Sequence, residues 1–169
     1  MSISMHSASV PVFARQLGAI LNWLDKAEAH ATAKKFETAV LLQARLAPDM
    51  LPFVAQIRIA SDAAKGCVAR LAGVEPPKFE DNETNFEELR QRVRKTIDYL
   101  NSVPADAIDG SEEREIVLPV RNRDPLNFKG EFFLKHWALP NFMFHCTMTY
   151  ALLRHNGVDI GKRDFLNVG

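Results

Sequence analysis

Apolar residues recur at helical spacing in four long stretches of this chain, and this pattern constrains the fold more than any other feature. Between about Val10 and Ala31, large apolar side chains follow the i, i+3, i+4, i+7 spacing that gives a helix one buried face. Ser9 is the expected N-cap, and Pro11 falls in the first turn, where a missing N–H costs nothing. The first stretch therefore predicts one long amphipathic helix.

The second helix is expected to begin at Pro48 and to stop at Gly73, a residue suited to the left-handed end of a helix. Its predicted buried face comprises Met50, Phe53, Val54, Ile57, Ala60, Ala64, Cys67, Val68 and Leu71. The connection before it, Thr32 to Ala47, contains the apolar run 39–42. We expect that run to fold over one end of the core as a turn or a short helix.

The third helix has a predicted capping box, in which Thr84 and Glu87 satisfy each other's free backbone N–H groups. Its inner stripe comprises Phe86, Leu89, Val93, Ile97 and Leu100. The outer face is charged and carries Glu88, Arg90, Arg92, Arg94 and Lys95. We interpret it as a solvated face. Acidic residues interleave with the basic ones, so nucleic-acid binding is not expected.

Helical spacing is lost between about Glu115 and Phe132, where β-branched and turn residues predict a small β-hairpin or an extended excursion. A fourth helix is expected from about Pro140 to Asn156, with an optional extra turn around Phe133 to Ala138. Gly157 supplies the left-handed residue that terminates it. The predicted fold is an all-α four-helix bundle with this insertion before the last helix.

Composition limits the remaining possibilities. A length of 169 residues with 47% hydrophobic content suits a single domain, 1–169, with one core. The formal net charge is zero, so no global field attracts nucleic acid or an anionic membrane. No segment reaches the roughly 18 apolar residues of a membrane span, and no secretory leader is evident, so we expect a cytoplasmic protein. Cys67 and Cys146 are interpreted as reduced core residues.

The fourth helix places a histidine, His145, in apolar surroundings, where bundle proteins position cofactors. The candidate pocket residues are His145, Asn141 one turn earlier, Thr149 one turn later, and Asp49 and Gln56 from the second helix. Amide and hydroxyl oxygens bind transition metals weakly, so no metal or other cofactor is expected and His145 is only a weak candidate ligand. The favoured interpretation is a buried histidine bonded to a neighbour, and the alternative cofactor is a divalent metal such as zinc or nickel.

Other catalytic motifs are absent from the sequence, which has no glycine-rich phosphate loop, G-x-S-x-G elbow, CxxC pair or HExxH. Cys146 follows His145 directly, but adjacent helical residues point about 100° apart. Aromatic residues between Phe132 and Tyr150 either line a small-molecule pocket or belong to the core. The tail carries Phe165 and Leu166, which favour docking on the chain's own bundle or on a partner subunit.

Three segments together carry a resemblance to a known group of proteins: SVPVF at 9–13, RLAPDM at 45–50 and FHCTMTYALLRHNGVDIGKRDFL at 144–166. With their order along the chain, they resemble the DinB-like, or YfiT-like, superfamily, and within it a family known only as a domain of unknown function. The resemblance implies an up-down-down-up bundle. It also implies a divalent metal held by three histidines in many members, one from the second helix and two from the fourth. Some members are similar to thiol-dependent transferases or isomerases.

Carried over by position, His145 matches the last histidine of the fourth-helix motif, while the preceding ligand falls at Asn141. No histidine lies between Leu46 and Gly73, so the resemblance implies a degenerate metal site. We expect a small-ligand-binding or interaction protein that forms a homodimer. The alternative is a metal- or histidine-dependent enzyme of the thiol-dependent transferase or isomerase type, and the sequence leaves open whether the protein is an enzyme.

Overall fold

The computed structural model describes residues 3–120 and 122–168, so Arg121, in the predicted turn of the hairpin, lies outside the described residues. The chain is mainly helical with one small hairpin, as expected. The elements in order are α1 (Val10–Lys34), α2 (Ala39–Leu42), α3 (Phe53–Ala72), α4 (Phe86–Ser102), α5 (Ala105–Ile108), β1 (Glu115–Leu118), β2 (Leu126–Lys129), α6 (Gly130–Phe133), a π-helical segment (Leu134–Ala138), α7 (Leu139–His155) and α8 (Lys162–Phe165).

The four long helices pack around one core. Helix α1 lies against α4 and α7, and α3 lies against the same two helices. Phe13 of α1 meets Phe142 of α7 edge to face, with ring centroids 4.8 Å apart. Trp23 lies further along α1 and packs in the same manner on Tyr150 of α7. Apolar faces at helical spacing thus meet across the interior, as the sequence pattern predicts.

Helix α3 begins at Phe53, and the prediction that Pro48 opens it was wrong. Pro52 holds an extended backbone at φ −70° and ψ 166° just before the helix. A proline also disfavours helical geometry in the residue before it, here Leu51. Asp49 therefore lies in an exposed turn and is not on the helix where it was expected. The other end is as predicted, since Gly73 caps the helix at φ 74°.

The caps of two helices differ from the prediction. Ser9 precedes α1, but its hydroxyl donates to the carbonyl of Met5 at 2.6 Å and does not cap the helix. At α4 the capping interaction is shifted by one residue from Thr84 and Glu87. Asn85 accepts from the backbone N–H of Glu88 at 2.9 Å, and the Glu88 carboxylate accepts from the N–H of Thr84. Asparagine caps helices at least as well as threonine, which explains the shift.

Two arginines of α4 are buried, which contradicts the predicted solvated face. Arg90 is 7% exposed and pairs with Asp25 and Glu28 of α1 at 3.0 and 2.6 Å. Arg92 is 4% exposed and pairs with Asp62 of α3 at 2.9 Å. These partners on α1 and α3 lie outside α4, and the helical spacing within α4 does not reveal them. Buried charges are retained in proteins when they are paired in this way.

The hairpin confirms the predicted break in helical spacing, because β1 pairs antiparallel with β2 and Ile116 lies opposite Phe128. The following helix begins earlier than the predicted Pro140. It runs from Gly130 through the π-helical segment into α7 and ends at His155, followed by Gly157 at a φ of 87°. The tail docks on its own chain, since Phe165 stacks on Trp23 at 5.6 Å. None of the helices in the described ranges combines the length and the apolar character that a membrane crossing requires.

Candidate functional site

His145 is bonded to a side chain of the neighbouring helix, as the favoured interpretation predicts. It is 9% exposed on α7, and its Nδ1 lies 2.8 Å from Oε1 of Gln56, which is 2% exposed on α3. The Gln56 amide nitrogen donates to the carbonyl of Leu51 at 3.0 Å, so the oxygen faces the histidine. An amide oxygen only accepts, so Nδ1 of His145 carries the proton. The pair therefore fixes one tautomer of the ring.

Burial also sets the charge of His145. Loss of solvent around the ring lowers the pKa of His145, and no carboxylate offsets this effect in the hydrogen-bond network of the described residues. Phe144 packs on the ring edge to face, with centroids 5.2 Å apart. The arrangement favours a neutral imidazole with a lone pair on Nε2. Such a ring stays uncharged at near-neutral pH and is a poor permanent cation.

The remaining predicted site residues are distributed around this pair. Thr149 is buried, and its hydroxyl donates to the backbone carbonyl of His145 at 2.8 Å, so it serves the helix. Asn141, one turn before His145, lines a cleft described below. Asp49 lies in the exposed turn before α3 and does not belong to the helical face that carries Gln56. The structure thus brings His145, Gln56 and Thr149 together.

A three-histidine metal site does not fit these residues. The second-helix side chain that faces His145 is an amide, and its oxygen is already occupied by the Nδ1 proton. The resemblance implies that Asn141 stands at the position of the other fourth-helix ligand. Within residues 3–120 and 122–168, no three His, Cys, Asp or Glu side chains converge as an ion would require. Closed divalent sites need three or four good ligands, so no chemical step is assigned to a metal here.

A cleft of about 400 Å³ opens beside Asn141. It lies between α3, the chain after β1 and the helix that runs from α6 into α7. Its apolar wall includes Ile59, Ala63, Phe133 and Trp137. The size and the mainly apolar wall are typical of small-molecule sites. Six aromatic residues between Phe132 and Tyr150 were considered as pocket candidates from the sequence. Two of them, Phe133 and Trp137, line this cleft, so the aromatic lining was predicted only in part.

The π-helical segment contributes Trp137 and Ala138 to the cleft wall. Such wide turns are rare, and they occur frequently at functional sites because they change which way side chains point. Gly130 begins this helix in close contact with another chain segment. A Cβ added at Gly130 would lie 2.0 Å from the carbonyl oxygen of Ser111. The absence of a side chain at Gly130 therefore lets the helix start beside the hairpin.

Sequence reasoning missed Arg70, which lines the same cleft on α3. The only sequence signal was its position, because Arg70 shares a helical face with Ile59 and Ala63. Its Nη1 donates to the carbonyl of Gly66 at 2.9 Å. Loss of solvent lowers the pKa of Arg70, which indicates that its charge is poorly solvated in this position.

The thiol that lines the cleft is not reactive. Cys67 lines the cleft, is 1% exposed, and has a pKa that burial raises far above the ordinary thiol value. Burial has the same effect on the pKa of Cys146. Thiolates are the nucleophilic form of cysteine, so neither side chain supplies a nucleophile. Both cysteines are free and buried, as predicted.

Comparisons with known proteins confirm the resemblance that the sequence motifs indicate. A family model described as "Domain of unknown function (DUF1993)" matches residues 5–166. A crystal structure of a DinB family member protein from Shewanella denitrificans, at 1.83 Å resolution, is similar to the chain with a TM-score of 0.86 and 38% sequence identity. The match covers 95% of this chain and 90% of that chain. No curated protein matches the sequence.

Proposed function

The chain belongs to the DUF1993 family, and we propose that it binds a small, largely apolar molecule in the cleft between α3 and the α6–α7 helix, without a metal ion. The observation that carries the proposal is the cleft itself, about 400 Å³ with Ile59, Ala63, Phe133 and Trp137 on its wall. Burial of apolar surface drives binding in clefts of this kind. The inert thiol of Cys67 favours binding over covalent chemistry.

We propose that the four long helices form a bundle in which their directions follow the order up-down-down-up. The starts of α3 and α4 meet, because Phe53 packs on Phe86. Helices α1 and α7 run in the same direction, since Phe13 meets Phe142 and Trp23 meets Tyr150 further along both helices. The early part of α4 pairs with the later part of α1 through Arg90. This contact is expected when α1 and α4 run in opposite directions.

A matched pair of variants tests the binding function. Trp137 lies on the cleft and is 39% exposed, whereas Trp23 is fully buried in the core, so a change in tryptophan emission reports on the cleft. We expect titration with 3-phenylpropanol to give a saturable change. Ala63→Phe fills the cleft and should abolish that change, while Ala29→Phe, at an exposed position of α1, should preserve it. The function is wrong if the wild type shows no saturation or if Ala63→Phe binds as well as the wild type.

A homodimer is part of the proposal. Three large aromatic side chains of the α6–α7 helix are exposed: Phe132 by 55%, Trp137 by 39% and Phe144 by 54%. Exposed aromatic side chains of this size are typical of protein interfaces. We expect light scattering at micromolar concentration to give twice the 19.0 kDa mass of one chain. Free cysteines fit a reducing compartment, which supports a cytoplasmic location.

One observation favours the alternative of a histidine-dependent enzyme. Gln56 fixes His145 with the proton on Nδ1, which leaves Nε2 as a proton acceptor, and the sequence alone does not identify that orienting partner. A general base of this type would make turnover of an ester substrate depend on His145. We therefore predict for this alternative that His145→Gln abolishes hydrolysis of 4-nitrophenyl butyrate. Equal rates in both proteins would exclude His145 as the base for this reaction.

A further inference from the structure

We propose that the molecule held in the cleft carries a carboxylate group and that Arg70 is its counter-ion. This inference rests on the binding function proposed above and specifies the chemical class of the ligand. Arg70 lies on the cleft wall beside Cys67, where apolar groups dominate its surroundings. A carboxylate on an otherwise apolar ligand would place the missing negative charge against the guanidinium.

Among the described arginines that are not exposed, Arg70 alone makes no ion pair with a carboxylate. The buried arginines of α4 each have carboxylate partners within 3.0 Å, Arg90 from α1 and Arg92 from α3. Among the described residues, no carboxylate lies within ion-pair distance of Arg70. Its assigned partner is the backbone carbonyl of Gly66, on its own helix. Four of the five N–H donors of a guanidinium therefore lack an assigned protein partner in this part of the chain.

A half-buried guanidinium is costly when it lacks both water and a counter-charge. Loss of solvent lowers the pKa of Arg70 by more than the charge of Glu75 raises it, so its position disfavours the charged form that arginine nevertheless keeps. The planar guanidinium matches a carboxylate through two parallel hydrogen bonds. A ligand carboxylate would thus satisfy donors that the chain leaves open.

The acidic residue of the cleft does not compete for this role. Asp62 lines the cleft, but its carboxylate is paired with Arg92 and with Lys65, each at 2.9 Å. Asp62 and Arg70 are eight residues apart on α3, a separation of about 12 Å at the helical rise per residue. The intervening face, with Ala63 and Cys67, is apolar. The cleft therefore fits a ligand with an apolar body and one anionic end.

The test compares three probes of one shape, 3-phenylpropanoate, 3-phenylpropanol and 3-phenylpropylamine, by titration of Trp137 emission in the 169-residue chain. We expect the wild type to bind the carboxylate at least tenfold more tightly than the alcohol, and the alcohol more tightly than the amine. Arg70→Gln should remove the advantage of the carboxylate over the alcohol. Arg70→Lys should keep part of that advantage, because it retains charge without the planar fork.

Arg94→Gln is the control, because Arg94 is an exposed arginine of α4 that pairs with Glu87 at 3.5 Å, and it should behave as the wild type. Equal affinities for carboxylate and alcohol in the wild type would overturn the role of Arg70 and leave the binding function standing. If Arg70→Gln still prefers the carboxylate over the alcohol as strongly as the wild type does, the role of Arg70 is likewise overturned and the binding function stands. Failure of all three probes to bind would overturn the binding function as well.

Discussion

The Nδ1–H of His145 donates to Oε1 of Gln56 across the interface of α7 and α3, at 2.8 Å. Gln56 in turn donates from its amide nitrogen to Leu51, so the histidine is linked to the turn that precedes α3. Both side chains are buried and polar, and each satisfies the other. In this chain the position where the superfamily resemblance implies a metal ligand is therefore a hydrogen-bonded part of the helix interface.

The pair should stabilise the fold only when both members are present. Gln56→Leu leaves the Nδ1–H of His145 buried without a partner, and we predict a loss of about 1–3 kcal/mol in the free energy of unfolding. The double variant Gln56→Leu with His145→Leu should lose less than the sum of the two single variants. Urea denaturation of the four proteins measures this coupling. If the loss of unfolding free energy in the double variant equals the sum of the two single losses, the bond contributes nothing to stability.

Burial of His145 predicts a pH dependence of stability. Because burial lowers the pKa of His145 in the folded protein, the unfolded chain binds a proton first as the pH falls below about 6.5. The stabilising contribution is therefore complete above that pH and is lost as the pH falls towards the lowered folded pKa. We expect His145→Gln to reduce this loss between pH 7 and pH 5 in urea denaturation.

His155→Gln makes the same chemical change at the exposed end of α7 and serves as the control. The difference between the two variants isolates the buried ring. A wild-type stability that rises as the pH falls through this window, with the rise absent from His145→Gln, would reverse the predicted sign.

Helical spacing alone was enough to predict the long helices and the break at the hairpin, because each apolar stripe meets another stripe in the core. It was not enough for features that depend on distant residues. Arg90 was expected in solvent because its partners lie on α1, and the site residue Arg70 was missed because the cleft forms only after α3 meets the α6–α7 helix. The His145–Gln56 bond was predicted only as a contact with an unnamed neighbour.

The close approach of Gly130 to Ser111 predicts a backbone clash on substitution. A Cβ at Gly130 would lie 2.0 Å from the Ser111 carbonyl oxygen, so Gly130→Ala should lower the free energy of unfolding by about 1–3 kcal/mol. Gly18→Ala is the matched control within α1, where the nearest atom is 3.7 Å from the added Cβ. That variant should gain about 0.5–1 kcal/mol, because alanine favours the helix interior. Similar effects of the two substitutions would refute the close contact.

The contact between the docked tail and Trp23 predicts a change in tryptophan fluorescence when the tail is altered. Phe165 stacks on Trp23 at 5.6 Å, and the Trp23 indole N–H donates to the carbonyl of Asp164 at 3.1 Å. Phe165→Ala should destabilise the protein by about 1–3 kcal/mol and shift Trp23 emission to longer wavelength as water enters. Leu166→Ala, at a side chain that is 47% exposed, should change both quantities much less. Equal changes in the two variants would show that the tail does not depend on the stack.

Zinc titration by calorimetry, on protein purified without an affinity tag, tests most directly whether this chain works without the superfamily metal. We predict that the wild type binds zinc no more tightly than a surface histidine does and that His145→Ala makes no difference, because an amide, Gln56, faces His145 and the resemblance puts Asn141 at the other ligand position of the fourth helix. Asn141→His should strengthen binding, since residues i and i+4 share a helix face. Tight, stoichiometric zinc binding by the wild type that is lost in His145→Ala would contradict the metal-independent function.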